Sequence, residues 1–114
     1  MLDTPNGFTK KTVNFGGRNF SLKLLNFDNG AFISISEGSS KIGSMVVSLN
    51  TGQNTVTTTV IPSKSNSLFL KLIAEKISYK LRGISIVSAF MEREIDSEAA
   101  KVLMTEIMDI FEVD

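Results

Sequence analysis

The sequence predicts an α+β domain: a six-stranded, mainly antiparallel sheet with two amphipathic helices on one face, in the order βββββαβα. Three observations predict it. Up to Ile61 the chain alternates apolar and polar residues with a period of two, cut by turn signals. After Pro62 the period becomes helical, with Phe69, Leu72, Ile73, Ile77 and Leu81 at three- and four-residue spacing. Ile84 to Met91 then returns to strand, apolar on both faces as suits a central strand, before a second amphipathic run.

Taken in order, Lys11 to Phe15 alternates, with Val13 and Phe15 on one side. Gly16-Gly17 supplies the positive φ angles of a two-residue hairpin turn. Arg18 to Phe27 places Phe20, Leu22 and Leu24 on one face, with Leu25 and Phe27 on the other. Asp28-Asn29-Gly30 is a turn, and Ala31 to Ser36 resumes the alternation with Ile33 and Ile35. The turn Glu37-Gly-Ser-Ser40 leads to the strand Ile42 to Leu49, and Asn50–Asn54 closes a hairpin onto Thr55 to Ile61. Strands joined by short turns are expected to be antiparallel neighbours. Ser63 to Ser67 offers N-caps for the first helix, and Gly83 stands where its C-cap glycine is expected. Asp96-Ser97-Glu98 caps the second helix, whose apolar stripe is Val102, Leu103, Ile107, Ile110 and Phe111.

The 114 residues fit a single domain spanning 1–114. With no Cys the chain has no disulfide, thiolate nucleophile or cysteine metal site; with no His it lacks imidazole bases and the usual catalytic zinc ligands. Twelve basic residues balance twelve acidic ones, which argues against a nucleic-acid binder. No apolar stretch reaches membrane-spanning length, and Met1 to Gly7 does not resemble a signal peptide, so a cytoplasmic protein is expected.

The motifs with chemical overtones have bland readings that fit better. Glu37-Gly-Ser-Ser-Lys41-Ile-Gly43-Ser superficially resembles a phosphate loop, but it sits between two strands, with Gly43 allowing a bulge or a close backbone approach. Glu92 and Glu94 would pair as carboxylates if the last strand continued; a solvated connection is the simpler account. Met104 and Met108 suit helix packing better than an adaptable binding surface. Lys71, Lys76, Lys80 and Arg82 on the first helix contrast with Glu98, Glu106, Asp109 and Glu112 on the second, followed by Asp114. No catalytic, cofactor or metal residues are singled out, and the chain reads as non-enzymatic.

One segment carries a family resemblance. Lys41-Ile-Gly-Ser-Met45-Val-Val-Ser-Leu49 is similar to a strand of the proteasome assembly chaperone 3 family, entered through Lys-apolar-Gly and ending in Val-Ser-Leu. Thr58-Thr59-Val60 resembles the family's Thr-rich next strand, and the helix Leu68 to Arg82, the strand Ile84 to Met91 and the last helix follow its order. The resemblance covers Ser40 to Phe111 and reaches no specific residue before it. It implies a chaperone without cofactors that binds proteasome α subunits, promotes ring assembly and leaves before maturation. It further implies a partner that is a related chaperone subunit or a second copy. The trimmed loops and absence of Cys point to an archaeal relative that associates with itself. The alternative is a small dimerising α+β scaffold of another complex. Partner-binding candidates are Lys41, Asn50, Gln53 and Lys64, drawn from exposed polar segments.

Self-association is expected on independent grounds. Two helices cover one face of a six-stranded sheet, yet several strands are apolar on both faces. Stacking two sheets, with the helices outside, would bury the surplus. The candidates for this contact are Phe20, Leu22, Met45, Val46 and Val47.

Overall fold

A computed structural model describes residues 8–112. The polar run at residues 1–7 and Asp114 lie outside the described residues. The order is β1 (Phe8–Phe15), β2 (Arg18–Phe27), β3 (Gly30–Glu37), β4 (Ser44–Asn50), β5 (Thr55–Ile61), α1 (Ser67–Leu81), β6 (Ile84–Phe90) and α2 (Ser97–Glu112). The six strands form one sheet, ordered β1-β2-β3-β6-β4-β5. Its fold class is the one the periodicity predicts. The shortest principal extent, 21 Å, is the thickness of one sheet layer and one helix layer.

The turns behave as their residues dictate. Gly16 and Gly17 adopt φ of 58° and 78°, the left-handed values that a two-residue turn between twisted strands requires. Asp28-Asn29 closes the next hairpin, and Phe20 comes to lie opposite Glu37. The expectation fails at the following connection. β3 and β4 are joined by a short loop but are not neighbours, because β6 inserts between them, parallel to β3 and antiparallel to β4. β6 returns through α1, the crossover that a parallel pair demands.

The insertion explains why Lys41-Ile42-Gly43 is loop rather than strand. The segment crosses to the far side of β6, held by Ser36 Oγ, which donates to the Lys41 carbonyl at 3.0 Å, and by the Gly43 N–H, which donates to Ser88 Oγ at 3.1 Å. Gly43 makes a close backbone approach: a Cβ there would collide with the Ala89 carbonyl. Gly83 serves the same purpose against the Asn29 carbonyl, and so is not the left-handed cap. That position belongs to Arg82, at φ 53° and ψ 48°, while the Gly83 N–H donates to the Ser78 carbonyl at 3.1 Å. Asp96 caps α2 as expected, its Oδ1 accepting from the Ala99 N–H at 2.8 Å.

Both helices lie on one face. Leu70, Ile73, Ala74 and Ile77 of α1, with Ala99, Leu103 and Ile107 of α2, meet the strand rows Leu24–Ile33–Val87–Val46 and Leu22–Ile35–Ala89. Met104 and Met108 pack against this core, in agreement with the helix-packing reading. Phe20, Leu22 and Val46 are each 1% exposed beneath the helices. These three self-association candidates therefore belong to the core and are closed to a second chain; only Met45 and Val47 face the other side.

Gly30 occupies the row where β3 meets β6, and a Cβ there would strike the Ile84 backbone carbonyl. Backbone cannot rotate aside as a side chain can. Gly30→Ala is expected to cost about 1–3 kcal/mol, against a gain of at most about 1 kcal/mol from the stiffer unfolded chain. Urea unfolding of the variant beside the parent measures the difference.

Candidate interaction surface

The sheet face away from the helices is built from four rows set by the strand register. Two are apolar: Leu25–Phe32–Ile86–Val47–Thr58, and Phe27–Gly30–Ile84–Leu49–Val56. A third, Lys23–Ser34–Ser88–Met45–Ile61, is mixed, and the fourth, Ser21–Ser36–Phe90, is largely polar. The loop from Lys41 to Gly43 covers part of this polar end, which is why Ser36 and Ser88 are buried on a face that is otherwise bare. Lys41 itself stands 4.9 Å above the Phe90 ring.

The apolar end has no cover among the described residues. Phe27 is 63% exposed, Val56 56%, Leu25 43% and Leu49 42%, while Phe32, Ile84, Ile86 and Val47 are half-buried. A hollow of about 230 Å³ opens beside Gly30, walled by Phe27, Phe32, Ile84 and Ile86. An apolar surface with an apolar socket is suited to receive an aliphatic or aromatic side chain.

A polar clasp closes the opposite end of the sheet. Arg18 donates to both carboxylate oxygens of Glu37, Nε to Oε2 at 2.8 Å and Nη2 to Oε1 at 2.7 Å. The same guanidinium donates to the carbonyls of Arg93 and Glu94, at 2.9 and 3.2 Å, and lies 5.3 Å from the Phe20 ring centroid. Glu37 Oε1 also accepts the Glu92 N–H at 2.9 Å. Two charged side chains from adjacent strands thus hold the connection between β6 and α2. Glu92, Arg93 and Glu94 are exposed there, on a surface connection rather than an extended strand. The hydrogen bonds from Arg18 hold the Glu37 carboxyl below its ordinary value of 4.5, against the opposing effect of burial. Pairing with Glu37 likewise raises Arg18.

A hydroxyl chain fixes α1 to the edge of the sheet. Ser48 Oγ lies 3.0 Å from Ser78 Oγ and 3.1 Å from Thr57 Oγ1, and Thr57 donates to Glu75 Oε2 at 2.8 Å. Ser78 reaches the Glu75 carbonyl at 3.1 Å, and Ser85 donates to the Ala74 carbonyl. Sequence reasoning passed over both polar groups. The clasp had a signal: the turn at Asp28-Asn29 sets Phe20 opposite Glu37, and Arg18, two residues from Phe20, shares its face. The hydroxyl chain had none, because its members come from three elements that only the tertiary fold brings together.

The four partner-binding candidates do not form one site. Lys41 and Lys64 fall at the end of the sheet where β4 begins, and Lys64 lines a shallow recess with Ser63, Ser65, Phe90 and Arg93. Asn50 and Gln53 lie at the far end of β4, in the hairpin loop, where Asn50 Oδ1 accepts the Gly52 N–H at 2.9 Å. Among the described residues no three Asp or Glu come together as a metal-ligand set, and no helix is long and apolar enough to cross a membrane.

No family model matches the chain, and no curated protein matches it by sequence. A solved structure does resemble it: a chain in the "Crystal Structure of a Novel Chaperone Complex for Yeast 20S Proteasome Assembly". The match has a TM-score of 0.66 at 10% sequence identity, over 93% of this chain and 94% of that one. The likeness is one of fold.

The Glu37 carboxyl, lowered on folding, contributes stability that is fully present above its unfolded value and is lost as pH falls through the folded one. Glu37→Gln removes the titration, so the variant is expected to be less stable at pH 7 and to lose less on acidification below about pH 4. Glu37→Ala strands a part-buried guanidinium and is expected to cost about 3–5 kcal/mol. Denaturant unfolding at pH 7, 5 and 3 checks both.

Proposed function

We propose that the chain is a non-enzymatic proteasome assembly chaperone that binds proteasome α subunits, promotes their assembly into a ring and departs before the particle matures. The observation that carries the reading is the whole-chain fold likeness to a member of a yeast 20S proteasome assembly chaperone complex. The resemblance of Lys41 to Leu49 agrees with it. So does the surface, which offers an apolar binding face of the kind that mediates protein contacts. Capture of purified free α subunits tests the proposal. Free subunits and half-assembled rings are expected to be retained and finished proteasomes not; equal retention of the finished particle would remove the release step. Lys41→Glu with Lys64→Glu should weaken capture, with a smaller effect in high salt because screening acts on the charge contribution.

We further propose that the chain pairs with itself, or with a related chaperone subunit, through the bare sheet face, helices outward. The two apolar rows and the Gly30 socket support this, since stacked sheets pack about 10 Å apart with interdigitated side chains. Sedimentation equilibrium at micromolar concentration should give a dimer or a higher even oligomer of the 12.5 kDa chain. Val47→Asp places a charge on the contact face and should lower the mass while leaving the fold intact. Val46→Asp places it under the helices and should unfold the chain instead.

A further inference from the structure

The two edges of the sheet are treated differently. β1 carries Lys10 and Lys11, charges that oppose edge-to-edge pairing, and Lys11 forms an ion pair with Glu106 of α2. β5, Thr-Val-Thr-Thr-Thr-Val-Ile, has no charge and no proline, and every residue except Thr57 is exposed. Its outer backbone N–H and C=O groups have no neighbouring strand among the described residues. Such an edge is a template for another strand.

We infer that β5 is a homotypic docking edge whose occupant is β5 of a second copy, paired antiparallel about a two-fold axis at Thr58. The sequence of the strand identifies the occupant. Read outward from Thr58, it is self-complementary: Thr57 falls opposite Thr59 of the second copy, and Val56 opposite Val60. Thr–Thr and Val–Val are favourable cross-strand pairs, and no like charges meet. The register shift against β4 falls at Val60, the margin of this pairing, leaving Thr57 to Thr59 regular at its centre.

A second feature overlooks the same edge. At 100° per residue, Leu68, Leu72 and Tyr79 lie on the flank of α1 that carries Glu75, and Glu75 reaches β5 through Thr57. These three side chains are 69%, 44% and 73% exposed. A strand added beside β5 would lie beneath this flank, with the helix-side threonine methyls of the second copy under the leucines and the tyrosine.

This edge is distinct from the sheet-stacking contact, and the two are compatible. Edge pairing uses an axis normal to the sheet, stacking an axis parallel to it, so together they close a tetramer with three perpendicular two-folds. The inference does not rest on the proteasome reading.

The chain has no cysteine, so a single thiol introduced in the Val47→Asp background, where the stacked contact is removed, reports the edge alone. Facing residues of an antiparallel pair have Cα atoms about 4.5–5.5 Å apart, within disulfide reach. Thr58→Cys under mild oxidation should yield a disulfide-linked dimer at least tenfold faster than Glu98→Cys on α2. The second measurement is sedimentation of Thr59→Lys, whose side chain is on the helix side and absent from the stacking face. Thr59→Lys should halve the oligomer mass with unfolding unchanged, and combined with Val47→Asp it should give monomer. Cross-linking of the Thr58→Cys variant no faster than that of Glu98→Cys, or a Thr59→Lys mass equal to the parent's, overturns the edge pairing. Failure of Val47→Asp alone to lower the mass counts against the stacked face and leaves the edge standing.

Discussion

Coverage is the constraint on which this structure depends. Six strands about 4.8 Å apart span roughly 24 Å between the outermost two, and two helices about 10 Å across cover one such face and no more. Every apolar side chain must therefore be beneath a helix, at the rim or on the uncovered face. The alternation along each strand does the sorting: Leu24, Ile33, Val87 and Val46 go under the helices, and Leu25, Phe32, Ile86 and Val47 go to the other side. The bare face is thus a direct result of a short chain with many apolar strand residues and few helices.

What the sequence made legible follows from how local each signal is. Period and turn chemistry located all eight elements, and alternation assigned side chains to faces correctly on β2, β4 and β6. Strand order was not legible. Nothing near Glu37 to Lys41 reports that a strand more than forty residues later will separate β3 from β4. For the same reason, alternation recognised that Val46 and Val47 face opposite ways without recognising which lies beneath the helices. The candidate site divides along the same line. Alternation separated the two faces without showing which one is bare, so Phe20, Leu22 and Val46 were expected at a contact that the helices close. The socket beside Gly30 required knowing that Gly30 and Ile84 are neighbours.

Polar interactions set the boundaries of the apolar regions. Arg18 and Glu37 compensate each other and take up backbone groups of the β6–α2 connection, so the end of the core is closed without an unpaired charge. The hydroxyls of Ser48, Ser78 and Thr57 have three protons for four contacts, two of them to Glu75. With Ser78 donating to the Glu75 carbonyl and Thr57 to its carboxylate, Ser48 has one proton to give to either neighbour, and both hydroxyls that flank it tie back to Glu75 of α1.

The parallel pairing of β3 with β6 also has a temporal consequence. Its partners, such as Ile33 and Val87, are far apart in sequence, and closing a long loop precedes any reward from the contacts it allows. During synthesis the ribosome delivers β3 and β4 well before β6, so for an interval both present open backbone edges to each other. The short loop between them favours the wrong hairpin, and Gly43, Gly30 and Gly83 are the points where β6 must later pass close to other backbone. A chain that ends before Ile84 lacks the strand that separates β3 from β4, so the native order of the sheet is reached only with its second-to-last element.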